Sequence, residues 1–130
     1  MTIPYSIEWK NNGLRITCTG IIIGAEFLQF ARGIYDDRRF SDLRYQLVDF
    51  SSTESFDMTE SQTKNLAYMD MAAAKSNPDS RVAIVAHQDI GRKLAQIYAA
   101  CSEPSPWEIR IFDTLQEAEQ WLSSLGWSNR

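Results

Sequence analysis

The chain has 130 residues, of which 44% are hydrophobic and 12% aromatic, a composition typical of a folded globular protein and not of a disordered chain. This length suits a single domain, residues 1–130, that buries one core. The net charge of −4 makes nucleic acid an unfavourable partner, because Lys and Arg do not cluster into a stripe that would neutralise phosphates.

Apolar runs and cysteines bear on where the protein works. The longest apolar run, Ile21–Ile23, is far too short to cross a membrane. No basic segment followed by a long apolar stretch stands at the N-terminus, so no signal peptide is expected. Cys18 and Cys101 lack the spacing of a metal site or a CxxC motif. We therefore expect a cytoplasmic protein with two reduced, buried thiols and no disulfide.

The first elements predicted are the two strands of a β-hairpin. Tyr5–Lys10 alternates weakly between apolar and polar residues, and Leu14–Gly20 alternates clearly, which places Cys18 on the core side. Asn11-Asn12-Gly13 lies between them, and these residue types tolerate the positive φ of a tight hairpin turn. Ile21–Ile23 is expected to extend the second strand or to form a bulge.

A helix lying on the sheet is predicted from Gly24 to about Asp36, because its apolar residues share one arc at 100° per residue. Asp37–Leu43 is expected to be a loop. Arg44–Phe50 reads as a central strand, since its end is apolar. The core-facing residues of the helix are expected to be Phe27, Leu28, Phe30, Ala31, Ile34 and Tyr35.

A second helix is predicted from Thr59 to about Lys75, before the helix-breaking residues 76–80. Thr59 and Gln62 have the spacing of a capping box, in which the two residues satisfy free amides at the helix start. Met and Ala on an inner stripe indicate adaptable core packing. That stripe is expected to consist of Leu66, Met69 and Ala73, widened by Ala67, Met71 and Ala74.

Two further strand–helix units complete the chain. Arg81–His87 is the clearest buried strand in the sequence, and a helix follows from Asp89. Trp107–Phe112 alternates as a strand, and a last helix runs from Thr114 to about Leu125. The fold class expected from this order is α/β, with an N-terminal β-hairpin followed by βα units. Crossover connections then require a mixed, mainly parallel sheet, and we expect the helices to pack chiefly on one face.

Several segments carry a resemblance to a known family. They are Thr19-Gly20, Ala25–Phe27, Leu47–Phe50, Phe56–Thr59, Val82–Ala86, Arg110–Phe112, Glu117-Ala118 and Trp121-Leu122. Through them the chain resembles the STAS domains of anti-sigma-factor antagonists, in particular the small bacterial antagonist-like proteins that are linked by fold to the CRAL-TRIO lipid-binding domains. The resemblance covers nearly the whole chain and implies a STAS-like fold.

The resemblance also points to one candidate switch. In the antagonists an Asp-Ser-Ser-Gly loop enters a helix, and a partner kinase phosphorylates the second Ser. The matching stretch here is Asp57-Met58-Thr59-Glu60, so the resemblance implies Thr59 as the candidate phospho-acceptor. Met58 replaces the first Ser and Glu60 replaces the Gly, and the charge of Glu60 would oppose a phosphate beside it. Helix capping is the alternative role of Thr59.

Acids and hydroxyls converge between the end of the third strand and the second helix. Asp49 stands near a strand end, where open parallel sheets place ligand groups, although a turn-forming role is the alternative. We predict a non-enzymatic, cytoplasmic protein-interaction or regulatory module of bacterial type, which binds another protein through the loop at Ser51 to Thr59 and the following helix. The candidate contact residues are Asp49, Ser51, Ser52, Asp57, Met58 and Thr59.

Catalysis, a metal and a cofactor are not expected. His87 is the single histidine of the sequence and could act as a base, but no partner nucleophile is identifiable, which favours a structural role. One His and two dispersed Cys do not make a typical zinc site. Gly24, Gly33 and Gly91 lack the spacing that cradles phosphate.

Two further hypotheses concern apolar contacts. The kinship with lipid-binding domains and the soft side chains of Met58, Met69 and Met71 suggest a carrier or sensor of a lipid or another apolar small molecule. An exposed aromatic patch on the strands would suggest a partner surface or a homodimer. That patch is expected to consist of Tyr5, Trp9, Trp107 and Trp127.

Overall fold

The computed structural model describes residues 4–87 and 89–128. Within these ranges, five strands form one sheet and four α-helices connect or follow them. The strands are β1 (Tyr5–Lys10), β2 (Gly13–Ile23), β3 (Tyr45–Asp57), β4 (Arg81–Val85) and β5 (Glu108–Phe112). The helices are α1 (Gly24–Tyr35), α2 (Glu60–Ala73), α3 (Asp89–Cys101) and α4 (Leu115–Ser124), with short 3₁₀ turns at Arg38–Asp42 and Ala74–Ser76.

The strands lie side by side in chain order, from β1 to β5. The β1–β2 pair is antiparallel, and the other three pairs are parallel. Each parallel pair needs a crossover connection, which α1, α2 and α3 supply. The predicted hairpin followed by βα units, in a mixed and mainly parallel sheet, is confirmed.

The hairpin turn uses two asparagines. Lys10 pairs with Gly13, and the turn residues Asn11 and Asn12 have φ values of 51° and 63°. Positive φ at both turn positions is typical of the hairpin turns whose twist matches that of the strands. Gly13 has a packing role, because a Cβ at this position would overlap the indole of Trp127.

Helices α1, α2 and α3 pack on one face of the sheet, and α4 packs on the other. Successive side chains of β4 pack alternately against the two helical layers, because side chains along a strand point to opposite faces of the sheet. Val82 and Ile84 belong to the core under the three helices, while Ala83 and Val85 belong to the core under α4. The prediction that the helices lie chiefly on one face is confirmed, with α4 as the exception.

The predicted exposed aromatic patch is wrong. Trp107 and Trp127 are buried, and each indole N–H donates a hydrogen bond to a backbone carbonyl oxygen. Tyr5 and Trp9 are half-buried against the core under α1–α3. An indole with a satisfied N–H is well accommodated in a protein interior. Two of the four residues that suggested a partner surface or a homodimer are therefore in the packed interior, and the other two are partly covered.

Most of the stripe predicted for α2 packs toward the core: Ala67 and Ala74 are buried, and Leu66 and Ala73 pack against the same core. Thr63 of α2 is also buried. Met69 and Met71 are partly exposed and belong to neither core. The inner face of α2 therefore consists mainly of small residues, which fill less of the space beneath the helix than methionines would.

Candidate functional site

Strands β2 and β3 extend beyond the rest of the sheet. The pairing of β3 with β4 ends at Asp49, whereas its pairing with β2 continues to Asp57. The predicted loop from Ser51 onward is therefore wrong, because the end of β2 supplies backbone hydrogen-bond partners that keep this segment extended. We call the two paired segments, Thr19–Ile23 and Ser52–Asp57, the ribbon.

Helix α2 begins where the ribbon ends, and Thr59 caps it. Thr59 Oγ1 accepts a hydrogen bond of 3.0 Å from the Gln62 backbone N–H, and Gln62 Oε1 accepts one of 3.0 Å from the Thr59 backbone N–H. This reciprocal pair confirms the predicted capping box. Gly24 lets the start of α1 approach the cap, because a Cβ at Gly24 would overlap the side-chain amide of Gln62.

Three of the predicted contact residues come together at this junction. Asp57 is the last residue of β3, and Thr59 is the N-cap of α2; both are exposed. Met58, between them, is half-buried and packs against the core under α1–α3. The junction therefore presents a carboxylate and a hydroxyl to solvent.

The other predicted contact residues lie earlier in β3. Asp49 is buried, and its Oδ1 accepts a hydrogen bond of 2.9 Å from the Ser51 backbone N–H. Ser51 is half-buried, and Ser52 is exposed at the start of the ribbon. Asp49 lies eight positions before Asp57 along β3, which corresponds to roughly 26 Å at 3.3 Å per residue. The fold does not bring Asp49 to the junction.

Two isoleucines of the ribbon are exposed. Ile21 and Ile23 expose 52% and 39% of their surface, while Ile22 between them is fully buried, since successive residues of a strand point to opposite faces. In the register of the ribbon, Ile21 lies beside Ser55 and Ile23 beside Asp57. We call the face that carries these four residues the outer face of the ribbon. It combines apolar side chains with a hydroxyl and a carboxylate.

Three acidic residues belong to the ribbon or to the start of α2. Glu54, Asp57 and Glu60 are all exposed. Glu60 Oε1 lies 3.4 Å from Nζ of Lys93, an ion pair that connects the start of α2 to the first half of α3. Both side chains of that pair are largely exposed, so it adds little stability. The local charge is mainly negative.

A cavity of about 100 Å³ lies between the sheet and helices α1, α2 and α3. It exists because small residues occupy the inner faces of these helices. Ala31 on α1, Thr63 on α2, and Gly91 and Ala95 on α3 all line it. Helices that touch through small side chains leave unfilled volume where larger side chains would interdigitate.

The wall of the cavity is mainly apolar. Of the three methionines that suggested a lipid carrier, Met58 lines the cavity and Met69 and Met71 do not. Aromatic and branched aliphatic side chains supply most of the remaining surface. They include Phe27, Phe30, Phe50, Phe56, Ile16, Ile22, Ile34, Val48 and Ile84.

One carboxylate, that of Asp70 on α2, borders the cavity. The hydroxyl of Tyr35 on α1 donates a hydrogen bond to Asp70 Oδ1, and the hydroxyl of Tyr98 on α3 donates one to Asp70 Oδ2. Among residues 4–87 and 89–128, no cationic side chain forms an ion pair with Asp70. The three side chains join three helices at one point of the cavity wall.

Burial governs the protonation of this group. It raises the pKa of Asp70 to about 6, although the hydrogen bonds from Tyr35 and Tyr98 act in the opposite direction by stabilising the carboxylate. Burial and the neighbouring Asp70 raise the pKa of both tyrosines well above the ordinary value. At neutral pH, Asp70 is therefore mostly an anion and both phenols are protonated donors.

Asp70 was not among the residues predicted from sequence. It follows Leu66 by four positions and Ala67 by three, which places it on the inward face of α2. An acid on an apolar stripe signals a buried polar group that needs hydrogen-bond partners. Tyr35 and Tyr98 were predicted as core residues, and buried phenols also need partners. Sequence spacing does not show that the Asp70 carboxylate and the two phenols satisfy one another by hydrogen bonding at one point.

Three further observations concern the single histidine, metal binding and membrane spans. His87 is exposed, two positions after the end of β4. In the part of the chain that the structure describes, no three His, Cys, Asp or Glu side chains are grouped to hold a metal ion. No helix in that part is long and apolar enough to cross a membrane.

Comparisons with known proteins identify the fold. No family model matches the sequence, and no curated protein matches it. The structure is similar to that of the anti-sigma factor antagonist SpoIIAA in its unphosphorylated form, with a TM-score of 0.62 and 16% identity, covering 95% of this chain and 99% of that chain. It is also similar to an uncharacterized protein of the DUF3478 family with a SpoIIAA-like fold from Shewanella loihica PV-4, with a TM-score of 0.52 and 16% identity, covering 91% of each chain. The chain therefore has a STAS-like fold, and the resemblance in fold is confirmed.

Proposed function

We propose that this protein is a non-enzymatic, cytoplasmic interaction module of STAS-like fold, which binds another protein through the outer face of the ribbon and the start of α2. One observation carries the proposal: Ile21 and Ile23 are both exposed on the outer face, and Ile23 lies beside Asp57, which is two positions before the cap at Thr59. Adjacent exposed apolar side chains rimmed by polar groups are typical of protein-binding surfaces.

The fold analogy supports the same class of function. The similar solved protein is an anti-sigma factor antagonist, a regulator named for its effect on another protein. The analogy suggests regulation by protein binding and leaves the partner of this chain unnamed. The binding experiments below are designed to identify the partner.

Charge narrows the chemistry of the partner. Because Glu54, Asp57 and Glu60 are exposed on the ribbon and at the start of α2, we expect the partner to present an apolar contact bordered by Lys or Arg. The same acidic residues disfavour docking to an anionic membrane, whose surface attracts basic segments. A protein with a basic rim is the occupant we propose.

The test compares two polar substitutions on the outer face with one elsewhere. The double variant Ile21→Ser, Ile23→Ser removes the apolar contact, and Ile7→Ser on β1 is the matched control, since Ile7 is similarly exposed at 38%. Surface changes of this kind alter stability by only about 0.5 kcal/mol. Proteins captured from native lysate by the tagged chain are quantified, purified and titrated by calorimetry. We expect the partner to be lost with the double variant and kept with Ile7→Ser; equal binding to both would overturn the proposal.

The polar residues of the junction need their own variants. Asp57→Ala removes the carboxylate, and Thr59→Asn removes the hydroxyl while retaining a residue that caps helices well. Weaker binding of the identified partner by either variant supports the site. Unchanged binding by both would exclude Asp57 and Thr59 from it.

Phosphorylation of Thr59 stays a prediction from the resemblance. Its hydroxyl is engaged by the Gln62 N–H, so a phosphate would have to replace that cap. Incubation with cellular kinases and peptide mapping tests it, with Thr59→Asn as the control. Phosphate found on the wild-type Thr59 peptide would support the switch, and its repeated absence would remove it.

A further inference from the structure

The cavity under α1, α2 and α3 has the size and walls of a small ligand site, a property that goes beyond the protein-binding surface proposed above. Its volume of about 100 Å³ is several times the roughly 15 Å³ that one water molecule requires. Phe and Ile side chains dominate its wall, so water inside would find few hydrogen-bond partners. Comparable apolar cavities stay dry and accept benzene-sized molecules.

The polar end of the cavity determines which ligand chemistry fits. The Asp70 carboxylate accepts one hydrogen bond on each oxygen, from Tyr35 and from Tyr98. A carboxylate offers about four acceptor positions, so further donors are accommodated. No cation in the described part of the chain pairs with Asp70, and an unpaired anion in an apolar place is unfavourable.

We propose that this cavity binds a small apolar molecule with an amine head, whose apolar part lies between α2 and the sheet and whose ammonium group donates to Asp70. The ammonium supplies the positive counter-charge that the Asp70 carboxylate lacks. The apolar part fills volume that the small helix residues leave open. Charge-assisted hydrogen bonds of this kind are about twice as strong as neutral ones. A ligand with a carboxylate head is excluded by repulsion from Asp70.

Access to the cavity follows the boundary between α1 and α2. Four of the side chains that line it are themselves partly exposed: Tyr35 on α1, Met58 before α2, and Leu66 and Asp70 on α2. We therefore expect a ligand to enter along this boundary. An amine at Asp70 would lie close to solvent, which lowers the cost of desolvating it.

Three probes of the same size and different heads test the proposal: benzylamine, benzyl alcohol and benzoate. Each is titrated into the purified chain at pH 7.5, with calorimetry for affinity and methyl NMR for location. We expect benzylamine to bind about tenfold more tightly than benzyl alcohol, since charge-assisted bonds are the stronger ones, and benzoate to bind most weakly. The methyl resonances of Ala31 and Ala95 should shift, while that of Ala118, buried on the other face, should not.

Two variants distinguish the contribution of the ligand's amine head from that of the cavity volume. Asp70→Asn keeps the shape of the side chain and should remove the preference for benzylamine over benzyl alcohol. Ala95→Leu fills part of the cavity and should weaken all three probes. The proposal is overturned if no probe binds, if benzoate binds as tightly as benzylamine, if Asp70→Asn keeps the preference, or if the Ala118 methyl shifts as much as that of Ala95. The last measurement uses the wild-type chain and decides even if Ala95→Leu does not fold.

Discussion

The hydroxyl of Tyr98 donates a hydrogen bond to Oδ2 of Asp70, across the contact between α3 and α2. Tyr35 makes the equivalent bond to Oδ1 from α1. Three helices are therefore tied to one carboxylate in a mainly apolar place. Bonds in such surroundings are strong, but the charge they hold is unfavourable when it lacks a counter-ion. The protonation of Asp70 decides which of these effects is larger.

The first prediction is that Asp70 lowers stability as pH rises. Below pH 3.8, the ordinary pKa, the carboxyl is protonated in both the folded and the unfolded chain. Between pH 3.8 and about 6, the folded chain keeps a proton that the unfolded chain has lost. Above pH 6, the folded chain must bury the anion. Because the folded pKa is raised, the contribution of Asp70 to the free energy of unfolding should fall by about 2 kcal/mol from pH 4 to pH 7.5. Urea unfolding at the two pH values measures the change.

Other carboxyl groups titrate in the same range, so Asp70→Asn is the control. Tyr35 and Tyr98 stay protonated throughout, since both have raised pKa values, and Arg32 acts on this cluster by lowering that of Tyr35. The wild type should lose more stability than Asp70→Asn over the interval. Parallel pH profiles for the two proteins would show that burial of this carboxyl has no net effect.

A second prediction concerns the cap of α2. Thr59→Ala removes the acceptor for the Gln62 N–H and should lower the free energy of unfolding by about 1 kcal/mol. Thr59→Ser retains the oxygen and should stay within about 0.5 kcal/mol of the wild type. Urea denaturation of the three proteins checks this. If the Ala and Ser variants were equally stable, the capping box would not contribute to folding.

A third prediction contrasts two glycines. A Cβ at Gly13 would overlap the indole of the buried Trp127, whereas a Cβ at Gly33, exposed within α1, meets nothing. We expect Gly13→Ala to destabilise the protein by about 1–3 kcal/mol through overpacking. Gly33→Ala should stabilise it by about 0.5–1 kcal/mol through helix propensity. Thermal unfolding of both variants decides, and effects of the same sign would contradict the packing of Trp127 on Gly13.

A fourth prediction concerns the two free thiols. Cys18 is fully buried, and burial together with the nearby Asp49 raises its pKa well above the ordinary value. Cys101 is partly exposed at the end of α3, so its predicted burial is only partial. Iodoacetamide should modify Cys101 first in the native protein and should reach Cys18 at a comparable rate only in urea. Peptide mapping follows the reaction, and faster modification of Cys18 in the native state would refute its burial.

Local pattern was sufficient for most of the fold. The alternation of Leu14, Ile16 and Cys18, the helical spacing of Phe27, Ala31 and Ile34, and the capping box at Thr59 each depend on residues close in sequence. Such patterns state which face of an element is apolar. They predicted the elements and their order. That order in turn predicted a mainly parallel sheet.

The site depends on contacts between distant segments, which local pattern does not contain. The segment from Ser52 to Asp57 is rich in hydroxyls and reads as a loop, and only its pairing with the end of β2 makes it a strand. The same pairing exposes Ile21 and Ile23, because the register decides which alternate residues face solvent. Asp57 and Thr59 were predicted together since one residue separates them, whereas the fold holds Asp49 eight positions before Asp57 in the same strand.

The sequence by itself determined the order of strands and helices, the cap at Thr59 and the acidic character of the molecule, because each is a property of neighbouring residues or of composition. The tertiary structure alone decided the ribbon, the burial of Trp107 and Trp127, and the meeting of Asp70 with Tyr35 and Tyr98. These three side chains come from three helices, 28 and 35 positions apart along the chain. They meet because small residues on the inner faces of the helices let the helices pack closely on the sheet. That packing depends on the whole sheet and on the crossover connections.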